Sequence, residues 1–162
     1  MPKPIVSIVM GSDSDLAIMR DAKGVLDSHS VENELRILSA HRSPEEARRY
    51  AKSARARGIK VIIAGAGGAA HLAGVMASHT TLPVIGIPME TKELKGIDSL
   101  FSTVQMPSGV PVATVTIGKT GAKNAAILAL EILSLSDKKI TRHLEDFKKN
   151  LARAVIDKNK DL

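Results

Sequence analysis

Five short strand-like runs, each closed by glycine, proline or serine and separated by stretches of helical periodicity, constrain this chain most tightly. Residues 5–10 (IVSIVM) stop at Gly11. Residues 15–28 then place Leu16, Met19, Ala22, Val25 and Leu26 near a 3.6-residue period, which predicts a helix. Residues 32–38 predict a second strand, less apolar and suited to a sheet edge. Ser43-Pro44-Glu45-Glu46 reads as a helix start. Ser43 is placed to cap the amide of Glu46, and Glu46 to reach back. Pro44 suits the first helical position, and Gly58 suits the stop. Strands over 61–64, 83–87 and 112–117, a flexible turn over 65–70, and helices over 71–79, 98–104 and 121–133 complete the rhythm.

Alternating strands and helices with apolar strands predict an α/β fold. The expected form is a three-layer αβα sandwich around a parallel five-stranded sheet of flavodoxin-like order 2-1-3-4-5. A last helix over 137–157 carries Ile140, Leu144, Phe147, Leu151 and Val155 as one apolar stripe. Residues 1–136 are therefore read as an α/β catalytic domain. Residues 137–162 are read as a helix that lays its stripe on its own domain or on a neighbouring subunit.

Composition removes several function classes. At 162 residues the chain is one domain by length, and 44% apolar with 25% charged residues excludes a disordered chain. With no cysteine, disulfides, zinc–thiolate sites and thiol nucleophiles are excluded. The only aromatics are Tyr50, Phe101 and Phe147, a poor platform for stacking single-stranded bases. The net charge of +6 is concentrated after Lys138, but acids interleave there, which argues against a nucleic-acid-binding tail. The six-residue apolar run near the N-terminus is too short for a signal core or a membrane span. The expectation is a cytoplasmic protein with no membrane or nucleic-acid partner.

In open α/β sheets ligands bind outside the carboxyl ends of the strands. Three such ends carry chemistry. Gly11-Ser12-Asp13-Ser14-Asp15 puts hydroxyls and amides at a helix N-terminus, an anion site in which the carboxylates suit sugar hydroxyls. Ser39-Ala40-His41-Arg42-Ser43 adds an imidazole, able to give and take a proton near neutral pH, beside a guanidinium fork for phosphate. Gly65-Ala66-Gly67-Gly68-Ala69-Ala70-His71 matches a relaxed dinucleotide fingerprint, with Glu90 where a ribose-binding acid would fall. That competing oxidoreductase reading is weakened because the fingerprint normally marks the first βα turn. Gly118-Lys119-Thr120 lacks the glycine at position 113 that a phosphate loop needs. No histidine pair has metal-ligand spacing, so no metal is expected.

GSDSD at 11–15, SAHRSPE at 39–45 and AGAGGAAHL at 64–72 together resemble the class I N5-carboxyaminoimidazole ribonucleotide mutases of purine biosynthesis. LPVIGIP at 82–88, DSLFSTVQMPSGVPVATVTIG at 98–118 and GAKNAA at 121–126 match the same family, so the resemblance covers about residues 5–135. It implies a carboxyl migration through decarboxylation and recarboxylation with His41 as general acid and base. It further implies phosphate on Ser12, Ser14 and Arg42, and ribose on Asp15. Gly11, Ser39, Ala40, Ala66, Gly67, Gly68 and His71 would line the rest of the site, with the glycine amides near the carboxylate. No cofactor is implied, and the family assembles as octamers. A sister family that carboxylates aminoimidazole ribonucleotide directly typically has Lys after the loop histidine. Arg42 and Gly67-Gly68 favour the mutase. One departure is Ala73, where the family usually has proline, expected to loosen the start of the following helix.

Overall fold

The computed structural model describes residues 3–161. Its strands are β1 (Val6–Met10), β2 (Asn33–Ile37), β3 (Val61–Ala66), β4 (Val84–Pro88) and β5 (Ala113–Thr114). Its helices are α1 (Leu16–Ser28), α2 (Pro44–Ala54), α3 (Leu72–His79), α4 (Ile97–Val104), α5 (Gly118–Ser134) and α6 (Lys138–Lys158). All strand pairs are parallel, in the order β2-β1-β3-β4-β5, as expected from the βα rhythm.

Every residue of β1, β3 and β4 is buried, because helices cover both faces of the sheet. Ala47, Ala51 and Ala54 of α2 and Leu72, Ala73 and Met76 of α3 pack with Val9, Ile62, Ala64 and Val84 on one face. On the other face Met19 of α1 reaches Gly65, and Gly121 of α5 abuts Ile87. Small residues facing the sheet on α2 and α5 let those helices approach closely.

Three local expectations needed correction. β3 runs through Gly65 and Ala66 instead of turning there, because Gly65 is paired on both sides, with Met10 and Ile87, and Ala66 on one, with Pro88. β5 shrinks to two residues. After Val115 donates to the Gly86 carbonyl, the chain turns so that the Thr116 carbonyl lies against Gly121. Ser43 occupies the cap position of α2 but makes no cap hydrogen bond. Its hydroxyl instead accepts from the Ser39 N–H and donates to the Ser39 carbonyl, 3.1 Å each, while Glu46 pairs with Arg49. α3 begins at Leu72 with Ala73 buried within it.

The chain divides into two compact units, one ending at Ala129 and one beginning at Leu130. In the second unit Asp137 caps α6 through the amides of Lys139 and Ile140. The predicted stripe divides along its length: Ile140 and Leu144 are buried, whereas Leu151 and Val155 are 50% and 65% exposed.

Candidate active site

The reversal of strand order falls between β1 and β3, and the loops after β1, β2, β3 and β4 meet around that point. Backbone bonds hold them at a common level. Gly11 N–H donates to Gly65 O, Leu38 N–H to Met10 O, and Met89 N–H to Ala66 O, at 3.2, 2.8 and 2.9 Å. Between them lies a cavity of about 490 Å³. Gly11, Ser12, Ser14, Asp15, Ser39, Ala40, His41, Arg42, Ala66, Gly67 and His71, all singled out in the sequence, line it.

The loop after β1 forms a short 3-10 turn over Asp13–Asp15, with Ser12 as its cap and the Ser14 amide donating to the Ser12 hydroxyl. Asp15 closes this turn. Burial raises its pKa, against a lowering hydrogen bond from Ser14, and the nearby Asp13 charge adds to the rise. Arg42 ties two loops together: its Nη2 donates to Gly11 O at 3.2 Å, and its backbone N–H donates to Ser39 Oγ at 3.0 Å. The guanidinium is thereby held over the β1 loop, where an anion at the helix end would sit.

His41 and His71 meet although 30 residues separate them. His41 Nε2 lies 2.6 Å from His71 Nδ1, and the rings are edge-to-face with centroids 4.7 Å apart. His71 stands at the cap position of α3 but gives its side chain to His41, not to the helix.

Gly68 is the one predicted residue outside the lining. It adopts a φ of +66°, which glycine tolerates, and its N–H donates to the buried Ser99 hydroxyl at 2.9 Å. That amide is committed, so the expectation of two glycine amides facing a carboxylate narrows to Gly67. Sequence reasoning missed Ala70, Leu72 and Met89 as lining residues, and met Glu90 only in the dinucleotide reading. Leu72 and Met89 look like ordinary core residues. Ala70, at a φ of +44°, carries no sequence mark of its left-handed backbone. Ser99 is legible only through its contact with Gly68. Among the described residues no group of three or more His, Cys, Asp or Glu could hold a metal ion.

Doubly wound α/β proteins take small ligands at this place in the sheet, and here the cavity carries hydroxyls, a guanidinium and paired imidazoles suited to a polar, anionic one. The model of the AIR carboxylase family matches residues 5–154, and the chain belongs to that family. An N5-carboxyaminoimidazole ribonucleotide mutase of Pyrococcus horikoshii is 56% identical over 99% of this chain and 89% of its own. One of Bacillus subtilis is 52% identical over 99% of both chains. The crystal structure of Treponema denticola PurE superposes with a TM-score of 0.89 at 30% identity, covering 99% of each chain. No helix among the described residues is long and apolar enough to cross a membrane.

Proposed function

We propose that this enzyme is an isomerase of purine biosynthesis that converts N5-carboxyaminoimidazole ribonucleotide to 4-carboxy-5-aminoimidazole ribonucleotide. The observation that carries the reading is one cavity placing His41 beside Arg42 and the Ser12–Asp15 turn, a proton carrier next to a phosphate and sugar site. Near full-length identity to curated mutases supports it. Ser12, Ser14 and Arg42 hold the phosphate and Asp15 the ribose, while Gly67, without a side chain, leaves room for the flat ring.

Protonated His41 gives its proton to the carbamate nitrogen. The carbon–nitrogen bond breaks, leaving a free amine and CO2. The ring C4 attacks the retained CO2, forming the new carbon–carbon bond. His41 then removes the C4 proton and returns to its starting state. Every atom and proton is returned, so the reaction as written calls for no cofactor. Positioned proton transfer is worth ~10²–10⁴ in rate, and retention of CO2 beside the ring adds a proximity gain.

The enzyme is read as a cytoplasmic homo-octamer. Leu94, Ile97, Phe101 and Val104 form an exposed apolar surface on and before α4, 48–61% exposed, of the kind that supports subunit contact. The C-terminal helix is read as a separate element, with its exposed Leu151 and Val155 available to a neighbouring subunit.

Two substrate mixtures test the function: the carbamate ribonucleotide alone, and aminoimidazole ribonucleotide with bicarbonate. The first should turn over much faster at equal concentration; the reverse ranking identifies a direct carboxylase. His41→Asn should bind substrate yet lose about 10²-fold or more in turnover. Retention of more than about a tenth of the native rate by that variant contradicts a single proton carrier.

A further inference from the structure

Ser99 is fully buried in the first turn of α4 and is not among the residues that line the cavity. Its hydroxyl nevertheless reaches back 31 positions to accept the Gly68 N–H at 2.9 Å. A buried hydroxyl destabilises a fold unless it is bonded, so the partner it holds shows its use. That partner is the turn after β3. Within it the Gly67 carbonyl accepts the Ala70 N–H at 3.2 Å, and Gly68 and Ala70 stand at φ +66° and +44°. For alanine this is strained backbone, which persists only where the surroundings impose it.

The turn presents one side to the cavity and rests its other side on packed neighbours. A Cβ on Gly67 would stand 3.4 Å from Met89 Cβ, 3.8 Å from Thr91 Cγ2 and 3.9 Å from Ser99 Oγ, while Gly67 itself lines the cavity. Its two glycine amides have separate fates. The Gly68 N–H is spent on Ser99, whereas the Gly67 N–H has no acceptor among the described residues. Ser99 is in turn held in place. Its carbonyl accepts from the buried Thr103 hydroxyl at 2.7 Å. The preceding Asp98 accepts from the Thr91 hydroxyl at 2.8 Å, and Thr91 Oγ1 accepts the Gly96 N–H at 3.1 Å. The start of α4 is thereby locked to the loop after β4, and Ser99 carries that fixed position across to the turn after β3.

We propose that Ser99 is a positioning residue for the carboxyl transfer. By taking the Gly68 N–H it sets the turn so that the Gly67 N–H is left for the substrate carboxylate and then for the CO2 formed from it. This deepens the mutase reading and rests on it for its chemistry. The carbon–nitrogen bond breaks to give CO2 and the free amine, and C4 then attacks the CO2 to form the carbon–carbon bond. Ser99 makes and breaks no covalent bond and moves no proton. Its effect falls between those two events, when weak contacts alone hold the CO2. A donor fixed in advance needs no reorganisation at that moment. Without the anchor the CO2 escapes to solvent, where water converts it to bicarbonate and aminoimidazole ribonucleotide is left behind.

The fate of the transferred carbon tests this on the full chain. The carbamate ribonucleotide is converted in ¹³C-bicarbonate with carbonic anhydrase present. Early label in the new carboxylate and free aminoimidazole ribonucleotide are measured, with the enzyme-free decay subtracted. Native enzyme should return mostly unlabelled carbon. Ser99→Ala should raise the exchanged and released fraction at least about fivefold and lower kcat about 10- to 10²-fold. Its KM should change by less than about threefold, because the phosphate and ribose contacts lie on other loops. Ser7→Ala is the control: it removes the hydroxyl of another fully buried serine, bonded to Tyr50 and outside the cavity lining, and should keep native retention. Native retention in Ser99→Ala, or equal leakage in Ser7→Ala, overturns the proposal. Should Ser99→Ala not fold, ligand-free native protein labelled with ¹⁵N-glycine decides. The Gly68 N–H should exchange with solvent at least about 10²-fold more slowly than the Gly67 N–H, and comparable rates overturn the proposal. Native enzyme that fails to convert the carbamate ribonucleotide would remove the mutase reading, and the amide exchange alone would then decide whether Ser99 orders the turn.

Discussion

Asp15 ends the 3-10 turn after β1 with its carboxyl partly buried at the cavity, and that burial raises its pKa. A raised carboxyl pKa means the folded chain holds the proton more tightly than the unfolded one. The stability associated with it is fully present below the unfolded pKa and is lost as pH rises through the folded value. Asp15→Asn, which cannot ionise, should therefore raise the melting temperature at neutral pH, and the gain should shrink in acid. The same substitution should raise KM several-fold by removing the carboxylate proposed to hold the ribose, a conflict between stability and function common at binding sites. Glu34 behaves oppositely. Burial alone would raise its pKa, but hydrogen bonds from Tyr50 and Arg57 at 2.5 and 2.6 Å, with the Arg57 charge, outweigh it and hold the carboxyl below its ordinary range. Its stabilising effect is present above the ordinary carboxylate range and is lost as pH falls through the lowered value. Glu34→Gln should cost about 1–3 kcal/mol at neutral pH and progressively less in acid, read from denaturant midpoints across pH.

At the scale of elements, Gly65 ties the sheet to the cavity. A Cβ on Gly65 would collide with the ends of Met89 and Met19, the first of which lines the cavity. Strand pairing on both sides leaves the backbone no room to retreat. Gly65→Ala should destabilise the fold by about 1–3 kcal/mol through overpacking. It should also displace Met89 and so raise KM, and a melting temperature equal to the native one would contradict this packing. Tyr50 links three elements in a similar way. From α2 its hydroxyl meets buried Ser7 on β1 and Glu34 on β2, while Arg57 lies 4.4 Å over its ring. The one tyrosine of the chain thus anchors the edge strand, whose own residues are too exposed to anchor themselves.

For the whole molecule, the exposed apolar residues around α4 predict self-association. Phe101, 61% exposed, is the largest of them. Phe101→Glu should shift native mass spectra from the proposed octamer toward smaller species, whereas a native chain that is already monomeric at micromolar concentration contradicts the proposed assembly. The sequence by itself determined the α/β class, the parallel sheet and the loops that bear the chemistry. Short apolar runs and period-3.6 patterns, and the glycine and proline that interrupt them, act within a few residues and so are written locally. It could not foresee that Ser43 would serve the Ser39 loop instead of its helix, nor that pairing with β1 and β4 would carry β3 on through Gly65 and Ala66: both answers depend on neighbours that folding supplies. Only the tertiary structure brought His71 to His41 and Ser99 to Gly68, across 30 and 31 positions. Those contacts arise where the loops after β2 and β3 meet each other and α4 beyond the strand ends, and that meeting is set by packing between elements, for which no run of neighbouring residues carries a signal.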